Sequence, residues 1–415
     1  MNLPKINLPF SKQRANGRRY TAEAAMIGTN NFHGSRKNAL SNFFRFLFYA
    51  FILILLLSGY GCADTNAGNK KTNGQFSAAV WNIQAFFDGT ENGNEYAEYR
   101  VASGWTQEKY AARLLATAQA ISKMKPAASE ISAEDKTEGP DLIGLVELEN
   151  AAVLEDLLKG PLSNQGYIQT FFGSVPGMVL GIGVISRYPL TETKVHSITI
   201  NNETTPRPVL EIHLEPAGKP LVFFLCHWKS KVGGEETTES LRQASARVIR
   251  RRITELKNEE PGAPVIIMGD LNENHDEFYR RGGVVPNALM PDDPKAASLI
   301  QNGSTDNYFL ILSKEKPPRS EYFPGKQTVL YSPWENELKN GSYYFRDNWE
   351  TIDHFLLSEE LFDGRDWDFE TCMVLNTQPF INAKGIPNAY YTNTGLGLSD
   401  HLPLLLYLQI RDENF

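Results

Sequence analysis

From Phe76 onward, short apolar runs alternate with amphipathic stretches along the chain. An apolar run of about four to eight residues bounded by turn residues is typical of a buried strand. The pattern predicts strands over residues 76–83, 141–147, 180–186, 195–200, 209–214, 220–227, 264–269, 352–357 and 402–409. Four of these strands follow one another between residues 180 and 227 without a helix, so we expect that part to be antiparallel.

Three stretches with apolar residues every three or four positions predict helices. The first begins after Thr106, a favourable N-cap residue. The second covers residues 148–158, and the third covers residues 235–257 with the arginines at 247–252 mostly outward. Residues 273–348 lack this periodicity and are rich in Pro, Gly and aromatic residues, which is typical of functional loops. Helices between strands, together with an antiparallel segment, indicate mixed sheets with helices outside them.

Polar residues stand at the ends of five apolar runs. They are Asn82, Glu147, His227, the pair Asp270 and Asn272, and the pair Asp400 and His401. Burial of a carboxylate or a histidine on a strand costs free energy. A single such residue could be an accident of folding, but five of them require a common cause. An active site where the ends of several strands meet supplies that cause.

The amide and carboxylate groups of this set are hard oxygen ligands, without a cluster of cysteine and histidine among them. Such ligands suit Mg²⁺, with Mn²⁺ as the alternative, better than Zn²⁺. In phosphodiester cleavage a divalent cation neutralises the phosphoryl oxygens and stabilises the leaving oxygen. A histidine can take the proton of the attacking water, and a carboxylate behind it would fix its tautomer. The residues therefore predict a metal-dependent phosphodiesterase.

The order of the polar motifs is similar to that of a known superfamily. In chain order the motifs are Trp81-Asn82, Val146-Glu147, His227, Gly269-Asp270-Leu271-Asn272, Ile352-Asp353-His354 and Ser399-Asp400-His401. Over residues 76–410 this order resembles the deoxyribonuclease-like endonuclease/exonuclease/phosphatase superfamily. The resemblance implies an α/β fold, a four-layer α/β sandwich of two mixed β-sheets packed face to face with helices outside.

The resemblance also implies a role for each matching position. The catalytic residues would be His401, Asp270, Asn272, His227 and Asp353. The metal ligands would be Asn82, Glu147 and Asp400, with Glu147 the principal one. His401 would be the general base, or the partner that stabilises the transition state, and Asp353 would orient it. Lys229 and Arg187 would contact the substrate.

The start of the chain has the build of an export signal. Residues 46–57 form an uninterrupted run of 12 apolar residues, preceded by basic residues and followed by small residues and Cys62. That run is short for a bilayer-spanning helix of about 20 residues. Cys62 resembles the lipidation site of bacterial lipoproteins, and an uncleaved anchor or a plain secretory signal is the alternative. The predicted organisation is a signal segment with Cys62 over 1–62, a tether over 63–75, the enzyme domain over 76–410 and a tail over 411–415.

Charge and cysteine usage refine this picture. Of the 41 basic and 49 acidic residues in the chain, residues 1–61 hold eight and one, which leaves 33 and 48 and a formal charge of −15. A body this acidic does not attract a polyanion by net charge, so any contact with nucleic acid must be local. Cys226 and Cys372 both lie in apolar runs, which predicts two buried free thiols, with a disulfide between them as the alternative.

These observations favour a monomeric Mg²⁺-dependent nuclease, bound to the membrane of the bacterial cell envelope through an N-terminal lipid anchor. A phospholipid or sphingomyelin phosphodiesterase and an inositol-phosphate phosphatase are the enzymatic alternatives. An inactive binding lipoprotein is a further alternative, but it predicts decay of the polar motifs, and every expected polar residue is present.

Overall fold

A computed structural model of the protein describes residues 74–125, 138–301, 309–323 and 328–411. All of them belong to the unit Lys70–Phe415. The predicted signal segment with Cys62, most of the tether and most of the tail lie outside the described residues. No helix within the described ranges combines the length and the apolar composition that a bilayer crossing requires.

Eighteen strands and five α-helices make up the regular structure of the described residues. The strands are β1 (Gln75–Phe86), β2 (Leu142–Leu148), β3 (Gln169–Gly173), β4 (Gly181–Ser186), β5 (Leu190–His196), β6 (Thr199–Ile200), β7 (Glu203–Thr204), β8 (Val209–Leu214), β9 (Leu221–His227), β10 (Val265–Asp270), β11 (Leu289–Pro291), β12 (Leu310–Ser313), β13 (Val329–Tyr331), β14 (Tyr343–Phe345), β15 (Asn348–Glu350), β16 (Asp353–Leu357), β17 (Trp367–Val374) and β18 (Leu404–Ile410). The helices are α1 (Gln107–Ile121), α2 (Ala151–Lys159), α3 (Glu235–Glu259), α4 (Glu277–Arg280) and α5 (Pro294–Gln301). Short 3₁₀ turns cover Ala97–Tyr99, Val101–Ser103, Pro216–Gly218, Pro333–Glu335 and Glu359–Phe362.

Most strands belong to two large mixed sheets. The six-stranded sheet has the order β17-β18-β1-β2-β4-β3, and its pair β1/β2 is parallel while the other pairs are antiparallel. The eight-stranded sheet has the order β11-β12-β13-β16-β10-β9-β8-β5, with β9 and β10 parallel at its centre. Strands β14 and β15 form a separate hairpin, as do β6 and β7. The predicted mixed sheets are confirmed.

Alternating side chains divide the interior into layers. On β1, Phe76 and Val80 pack between the two sheets, whereas Trp81 packs outward with residues of α1 and α2. On β9, Phe223 packs between the sheets and Phe224 packs outward with residues of α3. Neighbouring strand residues point to opposite faces, so one apolar run serves two cores. The result is the four-layer α/β sandwich that the resemblance implied.

Three features of the sheets differ from the sequence prediction. The strands predicted between residues 180 and 227 are divided between the sheets, because β4 pairs with β2 whereas β5, β8 and β9 pair antiparallel with one another in the other sheet. Strands β3 and β17 were not predicted, because many of their side chains are only partly buried and form no apolar run. The supposed loop over 273–348 contains two helices and several short strands.

Arg252 corrects the prediction of an outward arginine face on α3. The residue is only 6% exposed, and its guanidinium donates two hydrogen bonds of 2.8 and 3.0 Å to the carboxylate of Glu211 on β8. His196 and His213 contact the same carboxylate at 2.6 and 2.7 Å. Burial alone would raise the pKa of Glu211, but these hydrogen bonds overcome it and hold the pKa well below its usual range. Arg252 therefore fastens α3 to the eight-stranded sheet.

Both cysteines of the described domain are buried free thiols, as predicted. Cys226 lies in the core between the eight-stranded sheet and α3, whereas Cys372 lies in the core between the two sheets. The two side chains therefore belong to different layers.

Candidate active site

Three adjacent strands of the eight-stranded sheet bring polar residues together. In the strand register Asp270, the last residue of β10, is paired with His227 at the end of β9. On its other side Asp270 is paired with Asp353 at the start of β16. All three side chains are buried, so they meet away from bulk water at one edge of the sheet.

The six-stranded sheet contributes its polar residues at the same edge. Asn82 on β1 is paired with Val146, so Glu147 follows one residue further along the neighbouring parallel strand. The Asn82 amide nitrogen donates to Glu147 Oε1 at 3.1 Å and to Asp270 Oδ2 at 3.0 Å. This bridge joins the two sheets at the site. Glu147 has a φ of 70°, a strained value for a non-glycine residue, which is common at functional sites.

His401 is held between the sheets just before β18. Its Nδ1 lies 2.8 Å from Asp353 Oδ2, which also accepts a 2.6 Å hydrogen bond from Ser342 Oγ. The indole nitrogen of Trp81 donates to the His401 carbonyl at 2.9 Å. Since Nδ1 serves Asp353, Nε2 is left for a substrate. One ligating atom each from Asp270, Asp353 and His401 lies within 4.8 Å of the others.

The carboxylates around His401 determine its charge. Burial alone would lower the pKa of His401, but Asp353, followed by Asp400 and Asp270, raises it to about 10. Burial first, and then the charge of Asp353, raises the pKa of Asp270. Burial also raises the pKa of Asp400, with the charge of Glu147 adding to it. The surrounding carboxylates therefore favour the protonated form of His401.

His227 has the opposite character. Its Nδ1 accepts a short hydrogen bond from an Arg207 nitrogen, so the ring carries its proton on Nε2. That Nε2 lies 3.6 Å from Glu147 Oε1 and 3.7 Å from Asp270 Oδ2. Burial, with the charges of Arg207, His401 and Lys229, lowers the pKa of His227 well below its usual value. His227 is therefore a neutral hydrogen-bond donor directed toward the carboxylates.

The structure also brings two residues to the site that sequence reasoning missed. One is Arg207, from the segment before β8, which contacts His227. The other is Tyr343 on β14, whose ring stacks on the His401 imidazole with centroids 4.4 Å apart and planes at 26°. The aromatic content of residues 322–344 was a signal for Tyr343, whereas Arg207 gave none.

The remaining predicted residues divide into those near the site and one far from it. Asp400 is half-buried next to His401. The backbone N–H of Asn272 donates to Asp270 Oδ1 at 2.9 Å, and its side-chain amide donates to the Trp228 carbonyl at 3.1 Å. Lys229 lies two residues beyond the end of β9, at the same edge as His227.

Arg187 is not brought to the site, which corrects its predicted contact with the substrate. It follows β4, which runs antiparallel to β2 with Ser186 paired to Leu142, so it lies at the opposite end of the strands from Glu147. Its guanidinium donates to the carbonyls of Gln165 and Gly139 at 3.0 and 2.8 Å. It also lies 4.5 Å from the centre of the Tyr167 ring. These contacts show a structural role for Arg187.

Comparison with known families agrees with this geometry. The model of the Endonuclease/Exonuclease/phosphatase family matches residues 77–288. The chain belongs to this family. The matched range includes Asn82, Glu147, His227, Asp270 and Asn272. It is thus a hydrolase of the metal-dependent phosphodiesterase and phosphatase class. No curated protein sequence matches the chain.

Several solved structures resemble the chain at low sequence identity. A humanized D. rerio TDP2 with 14 mutations is 16% identical, with a TM-score of 0.43 over 81% of this chain and 99% of that chain. An endonuclease/exonuclease/phosphatase family protein from Bacteroides thetaiotaomicron is 15% identical, with a TM-score of 0.47 over 82% and 96%. The mannosyl-6-phosphatase Bt3783 of the same species is 15% identical, with a TM-score of 0.46 over 80% and 99%.

The donor set fits the divalent cation on which endonuclease/exonuclease/phosphatase enzymes depend. Four carboxylates converge around His401, those of Glu147, Asp270, Asp353 and Asp400, and their negative charges favour its protonated form. Asp353 Oδ1 is buried and has no hydrogen-bond partner among the described residues. Asn82 turns its amide nitrogen to the carboxylates and its oxygen to the backbone N–H of Gln84, at 3.0 Å. In this arrangement Asn82 holds the carboxylates in place, and its role as a ligand stays a prediction.

Proposed function

We propose that the protein is a Mg²⁺-dependent phosphodiesterase that hydrolyses DNA or RNA by in-line attack of a water molecule. The observation that carries the proposal is the 2.8 Å pair of His401 and Asp353, held next to Asp270 and Glu147 where the two sheets meet. A charged imidazole beside several carboxylates suits a reaction in which negative charge develops on a phosphoryl group.

Each residue has a definite task in this proposal. His401, charged and fixed by Asp353, donates from Nε2 to a phosphoryl oxygen, which is the second of the two roles that the resemblance left open. His227 donates from its Nε2 to another phosphoryl oxygen. Asp270 accepts a hydrogen bond from the attacking water and orients it, while Asn272 contacts the same phosphate.

Glu147 and Asp400 would hold the cation, with Asn82 supporting them. When bound, that cation neutralises the phosphoryl oxygens and stabilises the leaving oxygen. Mg²⁺ is proposed because the donors are oxygen atoms of carboxylates.

The hairpin of β14 and β15 supports nucleic acid as the substrate. The Tyr343 ring stacks on His401, and the Phe345 ring is nearly parallel to Tyr343, with planes at 14° and centroids 6.0 Å apart. Phe345 is 47% exposed, and the Arg346 guanidinium lies 5.0 Å from the centre of its ring. Exposed aromatic rings accompanied by arginine are the usual platform for unpaired bases.

A substrate panel tests this proposal. The purified protein is incubated with plasmid DNA, RNA, sphingomyelin vesicles, inositol polyphosphates and sugar monophosphates, each with Mg²⁺ or with EDTA. We expect cleavage of DNA or RNA in Mg²⁺ and none in EDTA. Hydrolysis confined to the lipid, the inositol phosphate or the sugar phosphate would show that the substrate class is wrong.

We propose further that the protein is an exported lipoprotein of the bacterial cell envelope. The support is the apolar run over 46–57 that ends shortly before Cys62, with about a dozen polar residues before the first strand. Cells that express the wild type should incorporate labelled palmitate into the protein, and cells that express Cys62→Ser should not. Equal labelling of both proteins would exclude Cys62 as the acylated residue.

A further inference from the structure

A cavity of about 320 Å³ lies beside the candidate active site, on the far side of His227. Two basic side chains line it, those of Arg207 and Lys229. Hydroxyl and amide groups of Thr204, Thr205 and Asn201 also line it, and its one acidic residue is the exposed Glu203. Apolar residues (Ile200, Pro206 and Leu241) and Ser245 complete the lining. The positive charge of the wall thus comes from Arg207 and Lys229.

Neither cation in this wall has an acidic partner. Among the described residues, Arg207 and Lys229 form no ion pair with a carboxylate. Lys229 Nζ donates instead to the carbonyls of Ser230 and Val232, at 3.3 and 3.2 Å. Nearby Lys231 is different, because its Nζ lies 2.6 Å from a carboxylate oxygen of Glu277.

The two positive charges disfavour one another in the absence of an anion. Burial lowers the pKa of Lys229, and the charges of Arg207 and of Arg242 lower it further. Such a local positive site is unusual in a domain with a formal charge of −15, derived from 33 basic and 48 acidic residues. An anion in the cavity would remove this repulsion and receive charge-assisted hydrogen bonds.

Arg207 connects the cavity to the catalytic groups. One of its guanidinium nitrogens donates to His227 Nδ1, while His227 Nε2 faces Glu147 and Asp270 on the other side of the ring. Only one imidazole therefore separates a group in the cavity from the position of the scissile phosphate.

We infer that Arg207 and Lys229 form a subsite for a second phosphate group of the substrate, adjacent to the phosphate that is hydrolysed. The inference rests on the proposed function and narrows it to substrates with at least two phosphates, such as an oligonucleotide. The subsite thus distinguishes substrates with two or more phosphates from those with one, such as a choline lipid or a sugar monophosphate.

Dinucleotides with and without a terminal phosphate test the subsite. We compare kcat/KM for TpT, pTpT and TpTp in Mg²⁺. The wild type should prefer at least one of the two terminally phosphorylated substrates by about 10- to 100-fold, the value of a hydrogen bond to a charged group. Lys229→Gln should lose most of that preference, and Lys229→Arg should keep it. The matched control Lys231→Gln, which changes a lysine paired with Glu277, should also keep it.

Equal kcat/KM values for the three dinucleotides with the wild type, or a preference that Lys229→Gln leaves unchanged, would refute the subsite while the nuclease proposal stands. If no nucleic acid is cleaved, the nuclease proposal is refuted, and the subsite is then tested by the binding of oligothymidylate. For binding of oligothymidylate in EDTA, the slope of log K against log salt should become about 0.7 less negative in Lys229→Gln than in the wild type. An unchanged slope would refute the subsite on its own.

Discussion

Replacing His401 by Ala is expected to lower kcat by about 10²- to 10⁴-fold, the range for loss of a positioned proton donor or acceptor. The structure gives the reason. His401 is fixed by Asp353 at 2.8 Å and by the hydrogen bond from Trp81 to its carbonyl, so its Nε2 is already aimed when the substrate arrives. The Trp81 contact involves only the His401 backbone, so the fold should survive the substitution. Hydrolysis of the best substrate from the panel gives kcat, and circular dichroism gives the fold.

Two companion variants make the result specific. Asp353→Asn removes the carboxylate that raises the pKa of His401, so the alkaline limb of the pH–rate profile should move to lower pH than in the wild type. This sign follows because a raised pKa keeps the imidazolium up to higher pH. His196→Gln changes a histidine that contacts Glu211 and should leave kcat unchanged. Wild-type kcat in His401→Ala would remove His401 from the mechanism.

The residues at the strand ends were predictable because burial makes them conspicuous. Asp270 and Glu147 interrupt or follow apolar runs, and a polar group in such a position is explained only by a partner or a function. The antiparallel pairing of β8 and β9 was predictable for the same reason, because buried strands form apolar runs. Strand β5 (Leu190–His196) is partly exposed and forms no apolar run, so the strand predicted over residues 195–200 overlaps it only at its end. Which sheet each strand joins depends on contacts between distant segments. The position of β4 was therefore not predictable from its own residues.

Side chains outside periodic elements could not be placed from sequence. Arg207 lies in a polar segment between β7 and β8, and its importance comes from a contact with His227, which is 20 residues away. Tyr343 lies 58 residues before the His401 on which it stacks. Arg187 and Arg252 were noticed in the sequence, but the residues that their charges contact could not be identified from it. Backbone carbonyls occupy the first guanidinium, and a buried glutamate occupies the second.

Replacing Glu147 by Gln is expected to lower kcat about 10³-fold and to weaken the binding of Mg²⁺ and Mn²⁺. The substitution keeps the size of the side chain but removes one of the four negative charges that converge at the site. Charge stabilisation by a bound cation is worth several kcal/mol in the transition state, and each 1.4 kcal/mol changes the rate tenfold. A calorimetric titration of the protein with Mn²⁺ measures the affinity for the cation separately from turnover.

Glu149 provides the matched control for Glu147, since it is the same residue type two positions along the chain. Its carboxylate accepts hydrogen bonds from the Asp88 backbone at 2.7 Å and from the Asn92 amide at 2.9 Å, so it is engaged away from Asp270 and His401. Glu149→Gln should therefore keep both the Mn²⁺ affinity and kcat close to the wild-type values. Burial, with the charge of Asp88, raises the pKa of Glu149 to about 7, so the Mn²⁺ titrations are made above that pH, where both variants lose one negative charge from the same segment. A general electrostatic effect would then weaken Mn²⁺ binding equally in the two. A loss confined to Glu147→Gln would instead identify a direct ligand, and wild-type Mn²⁺ affinity in Glu147→Gln would place the cation elsewhere.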